Sequence, residues 1–200
     1  MSTLTSGPRG PYAKTARVRQ RILDSCAEVF AESGFRATTM KEVASRAGIS
    51  ERGLSHHFAN KAEMLFAILD RTEERNTELV PHEAGMSVLL AMADIVAADR
   101  ERPGMVELHT VLSAEATSAD HPAHEHYRSR YEIVRDAAEL SFAALRAQGA
   151  IVSGLDDAAL AAAFVALSDG LQLQWLYEPE RIDSSAVLRG FLSSLVPPSR

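Results

Sequence analysis

VASRAGISERGLSHHF, residues 43–58, is the stretch on which the reading of this chain turns. Ala44 is followed four residues later by Gly48, and Leu54 comes six residues after that. Two short helices that cross steeply need this arrangement: a small residue where the backbones meet, a glycine for the sharp turn, and an apolar side chain to lock the crossing. Val43, Ala47 and Ile49 add apolar contacts, and Phe58 closes the small core. Ser50 stands where the second helix needs a cap. That helix then turns Glu51, Arg52, Gly53, Ser55 and His56 outward, the face that a helix-turn-helix lays in a DNA major groove. The competing reading is a helical hairpin inside an ordinary α-helical protein.

The flanking sequence is helical in period throughout, with no sustained alternation and no Asn-Gly or Asp-Gly hairpin. Ile22, Cys26, Val29 and Phe30 share one face of a first helix, which Gly34 can end in the left-handed conformation. Thr39-Met-Lys-Glu42 reads as a capping box opening a second helix, and Asn60-Lys-Ala-Glu63 resembles another. Beyond Pro81, helices are expected at about 84–99, 103–118, 123–148, 156–178 and 184–196. Segment 157–167, DAALAAAFVAL, is apolar nearly all round, so it must be buried on most sides. In a chain this short, that suggests a second subunit.

Charge divides the 200 residues unevenly. Residues 1–65 hold ten Lys/Arg against six Asp/Glu, and the remainder 11 against 21. A positive head on an acidic body suits a polyanion partner for the head alone. With one cysteine, Cys26, no intrachain disulfide can form, which fits a reducing cytosol. The polar, basic N-terminus lacks the apolar core of a secretory leader. The run Ala158–Leu167 is about half the length of a membrane span. A cytoplasmic protein without a membrane partner is therefore expected.

From Arg21 to Leu65, the opening helix is followed in order and without gaps by F-A-E-S-G-F-R-A-T-T-M, V-A-S-R-A-G-I-S, L-S-H-H-F and N-K-A-E-M-L. This run resembles the DNA-binding domain of the TetR family of transcriptional regulators. The remainder is similar in length and helix pattern to the family's dimeric ligand-binding domain, and DGLQLQWL, residues 169–176, resembles one of its late helices. The resemblance implies an all-α chain with an N-terminal three-helix helix-turn-helix domain and a larger C-terminal helical domain for ligand binding and dimerisation. The expected boundaries are a flexible basic arm at 1–18, the head at 19–65 and the body at 66–200.

It also implies roles. Thr38 and Thr39 would hold a phosphate at the start of the second helix, with Lys41 beside them. Ser50, Glu51, Arg52, Gly53, Ser55 and His56 would occupy the recognition helix. His57 and Lys61 would contact backbone phosphates. Two positions depart from the family: Arg52 stands where glycine is frequent, and Ser55 where tyrosine is usual. Arg52 compensates, in this reading, by pairing with guanine O6/N7. The implied function is that of a homodimeric regulator, a repressor in the first instance, that binds a palindromic operator and is released by a small-molecule effector. An activator of the same fold, a helical enzyme and a ligand-free binding module stand as alternatives.

For the effector site the sequence offers Met86, Leu90, Met105, Leu108, His109, Leu112, Tyr131, Phe164, Leu167, Asp169 and Trp175. All are ordinary core positions as well, and Asp169 is a costly residue in an apolar helix unless hydrogen-bonded or facing a cavity. No cofactor, catalytic group or metal is expected. Adjacent His56 and His57 point about 100° apart on a helix and rarely share an ion. His121, His124 and His126 in HPAHEH tempt a zinc reading, but are expected to form a solvated helix start after Pro122. Cys26 is expected to pack in the first helix.

Overall fold

The computed structural model describes residues 11–196, with side chains from residue 15. Among these residues there are nine helices and no strand: α1 Pro11–Ala37, α2 Met40–Arg46, α3 Glu51–Ser55, α4 Lys61–Leu79, α5 Met86–Asp99, α6 Pro103–Glu115, α7 His124–Ala147, α8 Asp157–Tyr177 and α9 Ser184–Ser194. Of the expected flexible arm, residues 1–10 lie outside the described residues. Residues 11–18 are instead the opening turns of α1, a correction with a simple cause. Proline is well tolerated in a first helical turn, so Pro11 starts the helix rather than preventing it.

Three side-chain caps set the phase of the head. Thr39 accepts from Glu42 N, Ser50 from Gly53 N and Asn60 from Glu63 N; each such cap contributes about 1 kcal/mol. Glu63 reaches back to Ala59 N at 2.7 Å, one residue before the cap. Between α2 and α3 the chain turns through Gly48, φ 67°, with Ile49 N–H donating to Ala44 O and Gly48 N–H to Ser45 O. Those two bonds close a Schellman motif, and its left-handed residue is why glycine is there.

Two apolar clusters divide the molecule. The first joins α1, α2 and α3 to α4, α6 and the start of α7, with Phe30, Leu54, Phe58, Leu65 and Leu112 at its centre. Cys26 belongs to it, and burial pushes its thiol up to about 12. The second joins α5, α7, α8 and α9 around Leu89, Phe142, Phe164 and Leu188. α8 is 21 residues long and, by length and a mean hydropathy of 1.2, apolar enough to cross a membrane. In the fold it packs against α7, α6, α9 and α5.

α1 breaks at Gly34, where φ is 75° and ψ is 166°. The positive φ was expected; the extended ψ was not, and it places Gly34 in a region that only glycine adopts readily. The reason lies on α6. Glu115 Oε2 accepts the Phe35 N–H at 2.8 Å, so the backbone must swing its amide toward α6. A Cβ on Gly34 would also lie within 2.4 Å of Glu115 Oε1. Gly34→Ala should therefore lower stability by roughly 1–3 kcal/mol. Gly48→Ala, with open space around it, should lose only the left-handed penalty of roughly 1 kcal/mol. Thermal melts of the two variants test this, and equal midpoints would remove Glu115 from the account.

Candidate DNA-binding head and effector cavity

The outer face of α3 matches its sequence reading. Glu51, Arg52, Ser55 and His56 are exposed, while Leu54 and Phe58 are buried beneath them. Among the described residues the Arg52 and Lys41 side chains make no hydrogen bond or ion pair, so their charges are available to a partner. The Ser55 hydroxyl donates to Glu51 O at 3.0 Å, which turns it along the helix. Gly53 is half-buried over Ser50 Oγ, where a Cβ would sit at 3.2 Å. Arg19 of α1 holds the far end of the motif: its guanidinium lies 4.1 Å over the Phe58 ring and donates to His57 O.

Two residues expected at the phosphates are used elsewhere. Thr38 is 2% exposed, and its hydroxyl donates to Gly34 O at 2.7 Å. Lys61 directs its ammonium at three carbonyls, Phe35 O, Arg36 O and Thr38 O, at 2.8, 2.9 and 3.0 Å. It also lies over the Phe35 ring at 4.6 Å. An ammonium has three hydrogens, so Lys61 caps the broken end of α1 with all of them. Thr39 remains exposed at the start of α2, its hydroxyl oxygen committed to Glu42 N.

The HPAHEH histidines disperse. His121 is buried and meets the Phe35 ring edge-on at 5.0 Å, which corrects the expectation of a solvated helix start. His124 Nδ1 is 2.8 Å from Ala116 O. His126 turns into the body. Among the described residues no three His, Cys, Asp or Glu side chains converge as metal ligands would.

In the body, α4, α5, α6, α7 and α8 enclose a cavity of about 280 Å³. Six of the eleven expected residues line it: Met105, Leu108, His109, Tyr131, Phe164 and Asp169. The other five do not. Met86, Leu90 and Leu167 pack against the second cluster, Leu112 lies in the first, and Trp175 is buried apart from the cavity. Helical period finds inward positions, but cannot say which inward positions a void interrupts.

Much of the cavity's polar lining was missed, because long charged residues on amphipathic helices read as solvated. Arg130 Nη1 meets Glu73 Oε1 at 2.6 Å. Arg75 bridges Asn76 Oδ1 and Asp99 Oδ1, at 2.9 and 3.1 Å. Tyr131 donates to Asp169 Oδ2 at 2.8 Å, with His109 Nε2 at 3.8 Å from the other oxygen. Burial pushes the Tyr131 hydroxyl up to about 12 and raises Tyr127 further still. Burial also raises Asp99, against the pull of Arg75. His126, whose Nε2 is buried without a hydrogen bond among the described residues, is held below its ordinary value by burial, which outweighs nearby Glu73.

A family model described as "Bacterial regulatory proteins, tetR family" matches residues 22–68, and one described as "BetI-type transcriptional repressor, C-terminal" matches residues 85–197. The second spans more than half of the chain. The chain belongs to the TetR family. It is thus an all-helical transcriptional regulator with a DNA-binding helix-turn-helix, and the helical-enzyme alternative falls, since the family regulates transcription rather than catalysing a reaction. Among relatives, the HTH-type transcriptional repressor KstR2 of Mycobacterium tuberculosis is 47% identical over 51 residues, 26% of either chain. The match therefore spans about a quarter of that TetR-family relative's length. The HTH-type transcriptional regulator TtgR of Pseudomonas putida is 26% identical over 178 residues, 82% of this chain and 83% of its own. A solved SmeT–triclosan complex shares the fold, with a TM-score of 0.69 at 22% identity over 92% of this chain and 93% of that one.

Two predictions follow from this TetR-family geometry. Arg52→Ala should cost about 1–3 kcal/mol of operator affinity at one base position; binding assays across single-base operator variants check it, and uniform weakening would reassign Arg52 to a phosphate. The second concerns acid. Below the ordinary histidine value of 6.5, the unfolded chain takes up protons that folded His126 and His121 resist, because burial lowers both. Stability should fall from about pH 7 downward and level below the folded values. Melts against pH measure the slope, and His126→Asn should flatten it.

Proposed function

We propose that this regulator is a homodimeric repressor of a palindromic operator, released when a small molecule fills the cavity. One observation carries the reading: α6 touches both sites. Met105, Leu108 and His109 face the cavity, while Leu112 belongs to the head cluster and Glu115 holds the Phe35 amide. These positions recur every three or four residues, so they share one helix face. α4 repeats the link, with Lys61 capping α1 at one end and Ile68, Leu69 and Asn76 lining the cavity further along. A ligand that displaces α6 or α4 moves the head with it. It lowers operator affinity by as much as its affinity differs between the two arrangements.

The dimer reading rests on α8. Ala158, Ala162, Ala166, Leu173 and Tyr177 are exposed, the last at 80%, and fall within one sector of about 100° on the helix. Small residues followed by larger apolar ones suit the close approach of a second copy. Symmetry would then set the recognition helices about one DNA turn, roughly 34–36 Å, apart. A repressor that binds DNA in this way would act in the cytoplasm.

Footprinting on the gene's own upstream DNA tests the whole scheme. The native protein should protect a palindrome at moderate salt, and deletion of the gene should raise transcription from it. Ala162→Glu should run as a monomer in light scattering and lose the footprint at equal concentration. Protection without symmetry would overturn the dimer, and a fall in transcription on deletion would make the protein an activator.

A further inference from the structure

We propose that the cavity selects an organic cation: a molecule with a compact apolar body and one protonated amine, the amine seated at Asp169. The inference rests on the reading of the cavity as the effector site. Three carboxylates face this space, those of Glu73, Asp99 and Asp169, and two guanidiniums, those of Arg75 and Arg130. Both guanidiniums are taken. Arg130 lies against Glu73 and Arg75 against Asp99, and Asp99 is only 15% exposed. Asp169 is left over.

Its surroundings confirm the imbalance. Among the described residues no Lys or Arg nitrogen comes within 4.0 Å of Asp169. Its close partner is the Tyr131 hydroxyl, a neutral donor, and the His109 ring stands at 3.8 Å, beyond hydrogen-bond length. The Asp169 side chain lines the cavity and is 39% exposed. Meanwhile Met92, Val96, Met105, Val134 and Phe164 form an apolar wall. An ammonium entering here meets a carboxylate that no described lysine or arginine pairs, whose nearest ionisable neighbour is the His109 ring at 3.8 Å, beside an apolar wall that strengthens a charge pair. A carboxylate ligand meets the opposite: it lies beside Asp169, or must displace Glu73 or Asp99 from its arginine.

Three probes of one skeleton test this: phenylbutylamine, phenylbutanol and phenylbutyrate, titrated calorimetrically into the full-length protein at neutral pH. The amine should bind at least about tenfold more tightly than the carboxylate, with the alcohol between them. Asp169→Asn should bring amine and alcohol within about threefold of each other. Equal or tighter binding of the carboxylate overturns the proposal while leaving the cavity as effector site. An amine preference that survives Asp169→Asn overturns it too, since the cation is then held elsewhere. If none of the three binds at millimolar concentration, the effector-site reading and this proposal fall together.

Discussion

The break in α1 at Gly34 is the constraint on which the rest depends. A helix that stops inside a protein leaves amides and carbonyls that must find partners. Here they come from outside the helix: Glu115 of α6 takes the Phe35 amide, Lys61 of α4 takes three carbonyls, and Thr38 returns to Gly34 O. Each partner sits on an element that also lines the cavity or orients α2. The helix-turn-helix is thus fastened to the body through backbone hydrogen bonds rather than only through apolar contact. Hydrogen bonds are directional, so a small rotation of α6 or α4 is felt at the head, where apolar packing alone would yield.

The parts of this fold that depend on neighbours in sequence were legible in it. Ser50, Thr39 and Asn60 cap the helices that their spacing announces. Gly48 turns where Ala44 and Leu54 require a crossing, and the helices of the body begin and end within a few residues of their periodic limits. The parts that depend on distant partners were not. Nothing local to Lys61 says that it will reach back to Phe35 O rather than outward to a phosphate. Nothing local to Glu73, Arg75 or Arg130 says that they will face a void. Pairwise compensation hides such charges, because each is matched from another helix.

Asp169 is the exception that the sequence did mark. A carboxylate in the middle of DAALAAAFVALSDGLQLQWLY is anomalous by composition alone, and the structure puts it in the cavity lining beside Tyr131. It sits on the same helix as the apolar stripe from Ala158 to Tyr177. A charge arriving at Asp169 therefore acts on the element that is expected to face the second copy. Cavity and head contacts are joined by α6, which also touches α8.

Lys61 carries one more consequence. Binding to duplex DNA draws much of its strength from released counterions, and each phosphate neutralised steepens the salt dependence by nearly one power of concentration. A head whose Lys61 is held by its own backbone, and whose Thr38 is buried, offers that many fewer groups to the phosphates. Recognition of a sequence then leans more on base edges. By that count the salt dependence of DNA binding is shallower than it would be with Lys61 and Thr38 at the phosphates.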